Sequence, residues 1–203
     1  MAPNFPTLLS YKLTKFQNDY ARAHEVMWKM CPGQDHQSFS ATEDLLDEMR
    51  RITDDLAADV ISAWDALVDE LFAARGIPAG KMKSRLRALS QSDAAIHFLV
   101  TDTWDRLITK VNDVRNEYQH NDFWRNSFGV GQGTGPFMMD LIADVNGHRV
   151  YVLRDARRAA YAIAGIHDVA GLRANIPALT NPCSDCYGDE FIGPPLDWSQ
   201  LGA

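Results

Sequence analysis

Residues 43 to 76 constrain the fold more than any other stretch of the chain. Leu45, Met49, Ile52, Leu56, Val60, Ala63, Leu67 and Leu71 follow one another at spacings of 4, 3, 4, 4, 3, 4 and 4. That rhythm tracks the turn of an α-helix and gathers all eight side chains on one stripe. Gly76 suits the left-handed residue just past a helix end, and Pro78 cannot continue the helix. Ser40-Ala41-Thr42-Glu43 reads as a capping box in front of it. A helix of about 33 residues is about 50 Å long. Such a rod buries its stripe only as the spine of a bundle or the seam of a dimer.

The remaining segments supply partners for that spine. Leu9, Leu13, Phe16, Tyr20, Ala23, Met27 and Met30 are also 3 or 4 apart, which predicts a first helix over 8–30, stopped by Cys31-Pro32-Gly33. A short basic helix is expected over 79–89. Ser92 then caps a second long helix, with Ile96, Val100, Thr103 or Trp104, Leu107, Val111, Val114 and Tyr118 on one face. After Trp124 the character changes. Gly129, Gly131, Gly133 and Gly135 mark a flexible linker, and two β-rich arms around Asn146-Gly147 form a hairpin. Asp155 can cap a helix through Ala164, a short helix follows near 168–174, and the Pro- and Gly-rich tail from Ile176 is irregular. The expected architecture is mainly α: a helical bundle with two long helices over 1–128, then a C-terminal β-hairpin and short helices over 129–203 packed on the bundle.

Composition excludes several classes of function. A hydrophobic fraction of 46% with 5 Trp fits a folded chain with a real core. No apolar run is long enough for a transmembrane helix, and the first residues lack the charged start and apolar middle of a secretory signal, so a cytoplasmic protein with no membrane partner is expected. A net charge of -7 argues against general coating of nucleic acid, which relies on many Lys and Arg releasing counterions. Contact with RNA or DNA would then be confined to a cleft holding a local cation.

The best candidate for such a cleft is NDVRNEYQHNDFWRN, residues 112–126. Asn116 and His120 are i and i+4 and share a helix face; Arg115 lies about 140° round the axis from His120, within reach of its long side chain. A guanidinium is a planar fork suited to phosphate oxygens, and imidazole titrates near neutral pH. Together they suffice for RNA strand cleavage without a metal. His120 would move the proton of the 2′-hydroxyl or of the leaving 5′-oxygen, and Arg115 would stabilise the charged phosphorane. The plainer account is that Arg and His at a helix C-terminus complement the helix dipole.

Arg115-Asn116-Glu-Tyr-Gln-His120, late in a long helix of an α-bundle, resembles the R-x(4–6)-H motif of the HEPN superfamily, the higher eukaryotes and prokaryotes nucleotide-binding domains. The resemblance covers about residues 8–126, through helix order and this one motif. It implies a HEPN-like bundle and a metal-independent endoribonuclease cleaving single-stranded RNA, often a toxin or phage-defence effector held by an antitoxin. Two motifs meet across a homodimer in such proteins. The resemblance also admits non-catalytic members, so the alternative is a HEPN-like protein-interaction or regulatory module. Two residues after His120, where some members carry a modifiable Tyr, this chain has Asp122.

Other features are weaker. Asp65 and Asp69, i and i+4 on the long helix, could face Arg115 or be simply solvated. Lys81, Lys83, Arg85 and Arg87 could guide an RNA backbone, although their alternation spreads them round a helix. Phe123 and Trp124 could stack a base or complete the core. His97 beside the apolar stripe reads as a boundary histidine. Cys183-Ser-Asp-Cys186 has zinc-knuckle spacing, and Cys31 with His36 would complete a Cys3His tetrahedral set if the tail folds back; free thiols are the alternative. The run GVGQGTG follows a helix and precedes a strand, the reverse of the order in phosphate-binding loops.

Overall fold

The structure, a computed structural model, describes residues 7–30, 42–120, 128–132 and 139–172. It is mainly helical, with one antiparallel sheet. Helix α1 (Leu8–Met30) and helix α2 (Glu43–Ala74) lie antiparallel and share the most extensive interface of the molecule. All seven stripe residues expected for α1 are buried, Leu9 and Leu13 completely. Each such Leu contributes about 1.5–3 kcal/mol by leaving water. Along α2, Leu56, Val60, Leu67 and Leu71 are fully buried together with Phe72, and Ile61, Trp64 and Val68 bury the flanking faces. The helix is thus enclosed by neighbours on several sides, as a bundle spine must be.

Polar contacts fix how α1 and α2 slide past each other. Asp59 is 2% exposed and accepts from Lys12 Nζ at 3.2 Å and Lys15 Nζ at 2.7 Å. Lys15 also holds Asp19 at 2.9 Å, and the Asp59 and Asp19 carboxylates outweigh its desolvation and push its pKa up. Further along, Arg22 pairs with Glu48 at 2.9 Å. A buried carboxylate with two ammonium partners is satisfied only in one register.

The ends of α2 depart slightly from expectation. Thr42, not Ser40, is the N-cap; its side chain accepts from the Leu45 backbone N–H. At the other end Gly76 has φ +66°, and Ile77 N–H reaches the Phe72 carbonyl at 2.9 Å while Gly76 N–H reaches Ala73 at 3.1 Å. That pair of bonds is the Schellman closure that a glycine after the last turn permits.

Helix α3 (Met82–Ser92) leads into α4 (Ala94–Thr103), whose N-cap is Asp93, not Ser92, accepting from Ile96 N–H at 3.0 Å. A single π-helical turn, Trp104–Ile108, separates α4 from α5 (Thr109–His120). This turn alters the expected stripe. Ile108, five residues after buried Thr103, is fully buried, whereas Leu107 is half-buried and Trp104 is 37% exposed. Trp104 instead leans on Trp64, ring centres 6.0 Å apart.

Strands β1 (Phe128–Gln132), β2 (Met139–Val145) and β3 (His148–Tyr151) form a sheet in the order β1-β2-β3. The β2–β3 hairpin turns at Asn146 (φ +52°) and Gly147 (φ +77°), the type I′ pair that matches strand twist. Strand β1 was expected as linker; instead Gly129 pairs with Ile142 and Gly131 with Asp140 in regular antiparallel register. Helix α6 (Val152–Val169) runs through the region expected to hold two short helices. Asp155 serves its start from inside the first turn, accepting the Tyr151 N–H at 3.1 Å. Ala156, Ala159, Ala160 and Ile163 join the same buried cluster as α1 and α2, so one core runs across residue 128.

Candidate functional site

Helix α5 is oriented by Val111 and Val114, both buried against the core. Arg115, the next residue, therefore lies at the edge of the buried face: the residue is half-buried, and its Nε is enclosed without a hydrogen-bond partner. Asn116 is exposed. His120 is the last residue of α5, and its side chain, like those of Tyr118, Phe123 and Trp124, lies outside the described residues.

The surroundings of Arg115 come from α2, against which α5 packs. The Asp54 carboxyl is raised in pKa by burial and by neighbouring Asp55, and the Asp65 carboxyl by burial and by Asp69; Arg115 pulls both the other way. Asp54 and Asp65 stand three turns apart on α2, about 16 Å. A cation felt at both ends lies over the stretch between them. Asp65 thus belongs to the neighbourhood of Arg115, and Asp54, which sequence reasoning missed, does too. Asp69 does not pair with it: Asp69 accepts from Arg85 at 2.9 Å. Among the described residues Arg115 forms no ion pair, and its enclosed Nε has no hydrogen-bond partner.

The basic strip divides in the fold. Arg85 is anchored between Asp69 and the face of Phe72, 4.2 Å from the ring centre, while Lys81, Lys83 and Arg87 are exposed. His97 is half-buried on α4. Cys31, His36, Cys183 and Cys186 lie outside the described residues, among which no group of three or more His, Cys, Asp or Glu is placed to hold a metal ion. No described helix is long and apolar enough to cross a membrane.

A second polar cluster, missed by sequence reasoning, joins α1 to α6. Arg157 is 5% exposed and donates through Nη2 to the Tyr161 hydroxyl at 3.0 Å. Its guanidinium lies 5.8 Å from the centre of the Tyr20 ring and 5.0 Å from that of Tyr161. His24 meets Tyr20 edge-on at 4.7 Å; burial, then the charge of Arg157, lowers its pKa to about 4. The available signal was the spacing Arg154, Arg157, Arg158, Tyr161, which places four residues on one helical face.

Chemically, the α2–α5 edge offers the half-buried guanidinium of Arg115, exposed Asn116 and carboxylates on the facing helix. A guanidinium is suited to holding one phosphate group. Compared with protein-family models, curated proteins and solved structures, the chain matches none of them.

Proposed function

We propose that the chain is a HEPN-type, metal-independent endoribonuclease of single-stranded RNA, active as a homodimer. In this reading Arg115 binds the scissile phosphate, His120 transfers protons at the 2′-oxygen and the 5′-oxygen, and Asn116 orients the phosphate or the imidazole. Attack of the 2′-oxygen forms the bond to phosphorus while the bond to the 5′-oxygen breaks, leaving a 2′,3′-cyclic phosphate. The observation that carries the reading is Arg115 itself. It is a half-buried residue with no ion pair among the described residues and an Nε without a hydrogen-bond partner, next to exposed Asn116, on the helix that ends at His120.

The test is degradation of single-stranded RNA by the purified chain in EDTA. Wild type is expected to cleave it, and Arg115→Ala and His120→Ala to lower the rate by at least about 100-fold, the scale for loss of a general acid–base or charge-stabilising group. Circular dichroism should show both variants folded. Equal survival of RNA with wild type and both variants overturns the reading.

One observation favours a second reading, a non-catalytic HEPN-like module that binds a protein partner. Asp54 and Asp65, the two carboxylates that Arg115 influences, are both exposed along α2. Carboxylates repel an RNA backbone and attract a basic protein surface.

A further inference from the structure

Between Glu70 and Asp93 the chain carries Arg75, Lys81, Lys83, Arg85 and Arg87 and no acidic residue, although its net charge is -7. Two of these cations are engaged: Arg75 pairs with Asp93 and Arg85 with Asp69, each at 2.9 Å. Lys81, Lys83 and Arg87 are exposed. The fold sorts the alternating charges by side. Leu89 is fully buried, Leu86 is half-buried and Arg85 lies over the ring of Phe72, so this side of α3 faces inward. Lys83 and Arg87, at i and i+4, share the other side, about 6 Å apart along the axis. Ser84, Ser90 and Gln91 fall on that side by helical rotation, and all three are exposed.

The outer side of α3 is thus two cations among two hydroxyls and an amide, with no carboxylate and no apolar side chain. Lys81 stands at the N-terminal end, whose first turn holds no acidic residue, so the helix dipole adds to the same positive field. The composition of this face selects its partner. A helix that lies on a membrane inserts an apolar face, and the leucines of α3 are turned inward. A protein interface is anchored by aromatic or apolar side chains and is depleted in Lys and Ser. Lys and Arg flanked by Ser and Gln are the side chains that grip phosphate and sugar oxygens of nucleic acids.

We propose that the outer side of α3 binds the sugar–phosphate backbone of a nucleic acid, with Lys83 and Arg87 on phosphate oxygens and Ser84, Ser90 and Gln91 hydrogen-bonded beside them. No aromatic side chain lies on this face to stack a base, so the contact is independent of base sequence. The surface is separate from Arg115 and does not depend on RNA cleavage.

The experiment is fluorescence anisotropy of a labelled oligodeoxythymidine titrated with the full chain over a range of salt, single-stranded in one arm and paired with oligodeoxyadenosine in the other. DNA has no 2′-hydroxyl, so the probe survives any ribonuclease activity and reads binding alone. Wild type is expected to bind in at least one arm, and the tighter arm tells single strand from duplex. Lys83→Gln with Arg87→Gln should weaken binding at least about tenfold at about 20 mM salt. It should also flatten the slope of log K against log salt by about 1.4 on the single strand or about 1.8 on the duplex, as loss of two phosphate contacts requires. Arg106→Gln with Lys110→Gln removes the same charge from exposed positions on the π turn and α5 and should keep the wild-type slope. All four side chains are exposed, and circular dichroism should show both variants folded. Absence of wild-type binding at low salt, an unchanged slope in the α3 variant, or equal losses in the two variants overturns the proposal. Tighter binding of polyglutamate than of either oligonucleotide overturns it too, and assigns the face to an acidic protein.

Discussion

His24 shows how burial turns one side chain into a pH response. It is 8% exposed, packed edge-on against Tyr20, and its pKa falls to about 4 because burial and Arg157 both disfavour the imidazolium. In the unfolded chain the ordinary value near 6.5 applies. The unfolded state therefore binds the extra proton first as pH falls. The stabilisation is complete above about pH 6.5 and is lost between there and pH 4. Linkage puts the loss at about 2 kcal/mol by pH 5 and about 3 kcal/mol in full. Urea unfolding at pH 7.5 and pH 5 should show wild type losing about 2 kcal/mol more than His24→Phe, which keeps an aromatic ring but has nothing to protonate. Equal losses would mean that His24 is already solvated in the folded chain.

At the scale of elements, the π-helical turn between α4 and α5 decides which side of the second long helix meets the core. An added residue in one turn advances the buried position from Leu107 to Ile108. Ile108→Ala should then cost about 3 kcal/mol, as a fully buried aliphatic does, and Leu107→Ala about 1 kcal/mol. Denaturant midpoints check the order; a larger loss at Leu107 would mean an uninterrupted α-helix. The same turn shows what the sequence could reveal. Stripes at 3.6-residue spacing were legible in α1 and α2, and Asn146-Gly147 marked its hairpin, because each is a local preference written in consecutive residues. Leu107 was misread because a π turn leaves the spacing looking α-helical. Strand β1 was missed because Gly129 and Gly131 suggest a loop until β2 provides a ladder. Thr42 and Asp93 are the caps where Ser40 and Ser92 were expected, since neighbouring residues of cap type look alike in sequence. At the candidate site, the placement of Arg115 and Asn116 on a late helix was readable. The approach of Asp54 was not, because it depends on how α5 crosses α2, and neither was the enclosure of Arg157 by residues of α1.

For the molecule as a whole, charge separates the two functional readings. A chain of net charge -7 offers RNA few favourable contacts, and the carboxylates along α2 act against Arg115, where the proposed ribonuclease site would hold phosphate. Under the ribonuclease reading Asp54 and Asp65 are an electrostatic handicap. Replacing one such carboxylate by an amide removes a repulsion of about 0.7 kcal/mol, or about threefold in rate, for a unit charge partly screened by water. Asp54→Asn with Asp65→Asn should therefore raise kcat/KM on single-stranded RNA by about 10-fold at low salt. The gain should shrink towards nothing near 1 M salt, where the screening length falls to about 3 Å. Under the partner-binding reading the same carboxylates are attractive groups, and the double variant gains no activity. The salt dependence makes the distinction sharp, because a gain that persists at high salt would come from altered packing and not from charge. Arg115 remains half-buried between these residues in either case, so the sign of the response, more than its size, tells which ligand the α2–α5 edge is built to meet.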